Sequence, residues 1–222
     1  MATLLLRLAA PLQSWGSDSK FETRKTNREP TKSGVVGLLA AALGLRRDDT
    51  AGLARLNQLR FAVRIDGEGS LLVDFHTAKS KDTSYVTYRH YLQDAVFLAG
   101  LESSDKAFLN ELEAALRHPV YPLYLGRRSC PPTLPLCLGI RQGDVLEALR
   151  TEPPLTQRNR PKRMEIVADA APTDVAAVPR RDLPTSFSPV HRTYGFRPVS
   201  VQQADWPGLP EPTEHDAMAE LR

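Results

Sequence analysis

Three stretches of the chain carry side chains able to hold a polyanion. The string Tyr121-Pro122-Leu123-Tyr124-Leu125-Gly126-Arg127-Arg128-Ser129 sets aromatic rings beside paired guanidinium groups, with a flexible glycine between them. Rings stack on unpaired bases, and a guanidinium forks onto phosphate oxygens. Pro30-Thr31-Lys32-Ser33-Gly34 places small residues and a lysine where an apolar, alanine-rich run begins. If that run is a helix, its first N–H groups are unpaired and partly positive, which makes an anion site. It is not a Walker loop, because the upstream glycine and the four-residue spacing are missing. Finally, Tyr85, Tyr88, Arg89, His90 and Tyr91 crowd one ribbon, with Lys79 and Lys81 just upstream. Strand alternation puts Tyr85 and Arg89 on one face, and Tyr88 and His90 on the other. Each stretch also has a plain structural use: a surface turn over buried tyrosines, helix capping, and cross-strand packing.

Catalytic patterns are sparse. There is no GxSxG elbow, no HExxH and no clustered set of acids for two metals. Metal-free RNA cleavage needs a general acid and base near a 2′-hydroxyl. His76 and His90 with Tyr85 could supply them, although a lone strand histidine more often serves packing. Cys130 and Cys137 are separated by six residues, three of them prolines. A zinc site wants four ligands, and no second pair exists, so free thiols are expected. No metal or cofactor is implied.

Charge sharpens the polyanion reading. The net charge of +3 is mild, but its distribution is not even. Residues 1–47 hold eight Lys/Arg against three acids; from Asp205 onward five acids face only Arg222. A basic stretch is the usual footprint of a polyanion site, and a solvated face is the plain alternative. The apolar residues 4–10 lack a preceding basic region and are interrupted by Arg7, which argues against a leader. No apolar run nears the ~18 residues of a membrane helix, so a cytoplasmic protein is expected.

The elements that must position these groups follow from periodicity. Residues 3–9 read as a buried central strand, and 13–30 as a long loop. A helix is predicted over the apolar run 35–43, with Thr31 or Ser33 as its N-cap and Gly44 as its stop, and a second over 50–59, capped by Asp49 or Thr50. Residues 61–65 and 71–76 alternate as strands and, with turn chemistry at 66–69, predict a hairpin. A second ribbon is predicted over 85–98, and a helix from Ser104 or Asp105 to Arg117, ended by Pro119. A further strand is expected near Tyr124. This is the β-α-β-β-α-β order of an α+β, ferredoxin-like domain, a topology shared by RNA-recognition modules. Beyond Pro131 the pattern weakens: 150–163 reads as an exposed basic loop, and 164–167 and 194–201 as short strands. The end of the chain has the composition of a loose acidic tail.

Several strings taken together resemble one family. They are Leu6-Arg7-Leu8, Pro11-Leu12-Gln13-Ser14-Trp15-Gly16, Pro30-Thr31-Lys32-Ser33-Gly34 entering Gly37-Leu38-Leu39, Arg47-Asp48-Asp49-Thr50, Phe75-His76-Thr77, and Tyr124-Leu125-Gly126-Arg127-Arg128-Ser129-Cys130-Pro131. Their order and spacing are similar to the type I-E members of the Cas-five family of CRISPR-associated proteins. The match spans roughly residues 1–139. The resemblance implies a ferredoxin-like (RRM-like, RAMP superfamily) RNA-binding domain over 1–140 with a projecting β-hairpin thumb at about 76–95. A small irregular C-terminal region over 141–205 and an acidic tail over 206–222 would follow. It implies a non-catalytic subunit of the Cascade surveillance complex that binds the 5′ handle of the crRNA and caps the backbone filament. The neighbours would be the backbone subunit (CasC) and the large subunit (CasA), with target DNA met through the complex. The family's handle-binding positions map onto Lys32, Ser33 and Gly34, onto Arg89, and onto Tyr124, Arg127 and Arg128. Gln13, Trp15 and Arg24 are added. Metal-independent cleavage of repeat RNA, as in type I-C relatives, and a protein-only adaptor are the alternatives.

Overall fold

The structure, a computed structural model, describes residues 1–16, 22–79, 83–171, 173–188 and 190–206. The chain opens on β1 (Ala2–Ala9), an almost continuous apolar run that is buried on both faces, as a central strand must be. Two short strands follow, β2 (Leu12–Gln13) and β3 (Thr23–Arg24). Helix α1 (Lys32–Leu43) starts where the Thr31 hydroxyl accepts the Gly34 N–H. It stops at Gly44, whose φ of 74° is a left-handed conformation that glycine adopts freely. Asp49 and Asp105 cap α2 (Thr50–Asn57) and α3 (Lys106–Arg117) in the same way. Between these two helices lie β4 (Arg60–Gly67), β5 (Ser70–Lys79), β6 (Ser84–Gln93) and β7 (Val96–Ser103). The remaining elements are β8 (Cys137–Gln142), α4 (Val145–Thr151), β9 (Met164–Asp169), β10 (Val178–Ser186) and β11 (Thr193–Ala204).

Seven strands form one antiparallel sheet in the order β10-β11-β9-β4-β7-β1-β8. Its β4-β7-β1-β8 part is the expected ferredoxin-like order. Leu4, Leu6 and Leu8 of β1 pack under α1, α2 and α3, while Leu5, pointing the other way, packs under α4. β5 and β6 pair along their whole length, from Ser70 opposite Gln93 to Lys79 opposite Ser84. With β2 and β3 they make a second small sheet, so the thumb hairpin spans Ser70–Gln93 and starts earlier than expected.

Two expected pairings differ. Residues 71–76 do not form a hairpin with 61–65, because both edges of β4 are already taken, by β7 and by β9. Asp66, read as turn chemistry, is fully buried and holds the Arg64 guanidinium at 2.7 Å. The fourth ferredoxin-like strand lies at Cys137–Gln142 and not near Tyr124. The intervening stretch holds Pro119, Pro122, Pro131, Pro132 and Pro135, which cannot donate to a ladder. The C-terminal strands β9, β10 and β11 extend the main sheet beside β4. Of the acidic end, residues 207–222 lie outside the described residues, as does Lys81.

Candidate nucleic-acid interface

An open groove of about 1470 Å³ runs beside α1. Its floor is made of small helix residues, Gly34, Gly37, Ala40 and Ala41, which keep it broad. One wall is the turn 121–131, and another is Phe187, Ser188, Arg192 and Tyr194 from the end of the sheet. Among the described residues, seven cations line it: Arg24, Lys25, Arg46, Arg47, Arg127, Arg128 and Arg192. The single lining carboxylate among the described residues is Asp48, which already pairs with Arg46 at 3.2 Å. A concave surface with this imbalance carries a positive potential and concentrates anions.

The turn that carries Arg127 and Arg128 is built by backbone bonds. The Leu125 N–H donates to the Cys130 carbonyl at 2.8 Å, and the Cys130 N–H to the Arg127 carbonyl at 2.8 Å. The Ser14 N–H donates to the Leu125 carbonyl at 3.1 Å, tying the turn to the start of the polar loop. Gly126 has φ of +85°, and a Cβ there would fall 1.6 Å from the Ser14 carbonyl oxygen. Only glycine allows this approach. Arg127 donates through Nη2 to the Arg24 carbonyl at 2.8 Å and lies 4.6 Å from the centroid of the Tyr91 ring. Burial alone would push the Tyr91 phenol up, but its hydrogen bonds to Ser129 and Arg127 and the Arg127 charge outweigh this and lower it. Among the described residues, Arg127 Nη1 and Arg89 Nε are buried and unpaired. A buried donor without a partner costs free energy, so an acceptor that reaches it is favoured.

The structure separates the expected site residues into two sets. Ser33, Gly34, Tyr124, Arg127, Arg128, Trp15 and Arg24 all line the groove. Lys32, Gln13 and Arg89 do not. Lys32 is a correction to the expectation of a phosphate-binding lysine. Its Nζ is buried and donates to Asp169 and to the Leu59 carbonyl, both at 2.8 Å. Its backbone N–H donates to Asp182 at 2.9 Å. The unpaired helix start therefore meets an internal carboxylate. Gln13 is fully buried: Nε2 donates to the Ala95 carbonyl at 2.6 Å, and Oε1 accepts the Trp15 Nε1–H at 3.1 Å. Trp15 is 1% exposed and packs where a Cβ on Gly34 would come within 2.8 Å, so it supports the floor and cannot stack on a base. Arg89 is half-buried on β6 in register with Arg24, one strand away from the groove rim.

Reasoning from sequence did not assign Lys25, Arg46, Arg47, Arg192 or Tyr194 to the site. The first three lie within the basic stretch 1–47, and that density was the available signal. Arg192 and Tyr194 reach the groove because β10, packed against α1, carries the chain there before β11 begins, which local pattern does not reveal.

The sheet order and the attached hairpin define the class: a ferredoxin-like (RRM-like) protein with a β-hairpin thumb and a cationic groove. The family model described as CRISPR-associated protein (Cas_Cas5) matches residues 3–200, and the chain belongs to that family. It is 42% identical over 174 residues to the CRISPR system Cascade subunit CasD of Escherichia coli (strain K12), covering 68% of this chain and 77% of the relative. Among solved structures, a chain of a CRISPR RNA-guided surveillance complex superimposes with a TM-score of 0.79 at 33% identity. That match covers 91% of this chain and 90% of the other. A structure described as a Cas protein gives a TM-score of 0.74 at 38% identity, covering 92% and 95%.

Proposed function

We propose that the chain is a non-catalytic subunit of a type I-E CRISPR Cascade surveillance complex, holding the 5′ handle of the crRNA in the groove beside α1. The observation that carries the reading is the charge of that groove: among the described residues, seven cations face one carboxylate that is already paired. Phosphate oxygens of an unpaired strand meet Arg24, Arg127, Arg128 and Arg192, and Tyr124 offers a ring to a splayed base. The thumb caps the filament of backbone subunits (CasC) and sets the register of the guide, with the large subunit (CasA) as the other neighbour. Base pairing of the guide reads target DNA, while this chain supplies shape and charge in the cytoplasm. The family membership and the match to CasD support the assembly; the groove supports the strand.

Arg128 and Arg192 are both exposed, so removing them leaves the fold intact. Arg128→Ala with Arg192→Ala should weaken binding of handle RNA and reduce the log K against log salt slope by about 1.4, two single-strand contacts' worth. An unchanged slope takes the groove out of RNA binding. A second reading, endoribonuclease activity, has one observation in its favour: His76 pairs with Asp74 on the thumb through Nε2. His90 and Tyr85 share that hairpin. Pure protein incubated with repeat RNA in EDTA tests it; scission lost in His76→Ala would establish cleavage.

A further inference from the structure

A second cationic surface lies outside the groove, on the loop between α4 and β9. Residues 157–163, Gln-Arg-Asn-Arg-Pro-Lys-Arg, contain four cations and no acid. Arg158, Lys162 and Arg163 are exposed. Among the described residues, no side-chain partner meets Arg158 or Lys162, and Arg163 approaches Asp205 at 3.5 Å. Glu68 stands at the same corner but forms no ion pair with them.

The loop is held in shape at several points. Asn159 turns the chain with a left-handed φ of 53°, and its carbonyl accepts the Glu68 N–H at 2.9 Å. The Arg158 N–H donates to the Thr156 hydroxyl at 3.0 Å. Trp206 donates its indole N–H to the Pro161 carbonyl at 3.0 Å. The Arg160 guanidinium lies 5.3 Å from the centroid of that indole, with Nη1 buried and unpaired. A loop needed only to connect α4 to β9 has no use for four cations clamped at one corner, where the like charges repel.

The clamp also fixes where the surface sits. Glu68 and Gly67 form the link from β4 to the thumb, and a Cβ on Gly67 would lie 3.4 Å from the Arg158 carbonyl. The cations therefore flank the base of the hairpin. This is an arrangement for a repeated, sequence-independent anion such as a sugar–phosphate chain.

We infer that residues 158–163 form a second phosphodiester-binding surface at the base of the thumb, separate from the groove. The inference rests on the reading that the protein works on a nucleic acid, not on which nucleotides the groove holds. The strand it meets is either the guide leaving the groove or the target duplex brought by the complex, and both present the same phosphates.

The test uses the full chain with Arg158→Gln and Lys162→Gln, which remove two exposed charges and little packing. In one arm the isolated protein binds guide RNA; in the other the reconstituted Cascade particle binds target duplex, each across a salt series. The expected result is a slope reduced by about 1.4 in the RNA arm or about 1.8 in the duplex arm, and the arm that responds names the strand. Unchanged slopes in both arms overturn the inference. So does a response that appears only when residues 207–222 are deleted. Those residues carry Glu211, Glu214, Asp216 and Glu220, and the surface would then belong to the chain's own acidic end. Arg128→Ala is the control in the RNA arm: if it responds and the loop variant does not, only the loop assignment fails. If neither responds, the groove reading fails as well.

Discussion

Replacing Lys32 with methionine should cost stability and leave RNA binding alone. The lysine keeps its charge buried by two bonds, to Asp169 and to the Leu59 carbonyl, each 2.8 Å long. Methionine fills a similar volume without either bond. Asp169 would keep the Arg197 guanidinium at 2.6 Å and the Phe61 N–H at 2.8 Å, so its charge would not be orphaned. The Leu59 carbonyl would lose its partner. A hydrogen bond to a charged group is worth about 1.5–3 kcal/mol, and an abandoned buried acceptor about 1–3 kcal/mol. These two overlap, since methionine also removes the cost of burying the ammonium, and a net loss of roughly 2–4 kcal/mol is expected. For a chain of this size that is a fall in Tm of roughly 4–16 °C.

The assay is a pair of measurements on the same variant: thermal unfolding by circular dichroism, and handle-RNA affinity across a salt series below the melting range. The expected pair is a lowered Tm with an unchanged salt slope. Asp182→Asn makes the comparison stronger. That carboxylate accepts the Lys32 N–H at 2.9 Å and two Arg197 nitrogens at 2.7 and 2.9 Å, and it is fully buried. Weakening it strikes one partner of a buried ion pair, for which losses of about 3–5 kcal/mol are usual when the partner is removed outright. A Lys32→Met variant with an unchanged Tm and a slope reduced by about 0.7 would refute this reasoning, for it would put the ammonium on a phosphate.

Two further outcomes follow from the turn at 124–130. Gly126→Ala forces a Cβ to 1.6 Å from the Ser14 carbonyl oxygen at a φ of +85°, so the turn must move; a lower Tm and a loss of RNA affinity are expected, read by melting and by anisotropy. Arg127→Ala removes a hydrogen bond and a positive charge that hold the Tyr91 ionisation down, leaving burial to dominate, so Tyr91 should ionise at higher pH. Ultraviolet titration of the wild type against the variant checks the sign, and a shift to lower pH would sink it.

What could be read from residue order was governed by how local the cause was. The caps and the stop at Gly44 act within one turn of helix. The caps were visible as pairs of candidates, Thr31 or Ser33, Asp49 or Thr50, Ser104 or Asp105, of which the structure uses Thr31, Asp49 and Asp105. The β1 strand was visible because burial on both faces demands an unbroken apolar run. The hairpin assigned to 61–76 failed for a non-local reason: β9, a hundred residues further on, occupies the edge that β5 would need. The edge strand β10 was not predicted; it carries Pro179 and Pro184, which obscure a strand pattern although an edge tolerates them. Helix α4, at seven residues, is too short for its periodicity to stand out.

The site divides along the same line, and Lys32 shows why. A lysine at a helix start is the correct chemistry for an anion, and an anion is there. It is Asp182, carried in on β10 with Asp169 from β9, and together with Arg197 they close a neutral four-charge cluster under the helix. The helix N-terminus thus anchors the C-terminal strands to α1. Those strands in turn bring Arg192 and Tyr194 to the groove. Anion affinity in the groove then comes from guanidinium groups on loops, which can follow an irregular strand, and not from a fixed helix dipole. A local motif identified the right interaction and the wrong partner, because the partner lies 150 residues away in the chain.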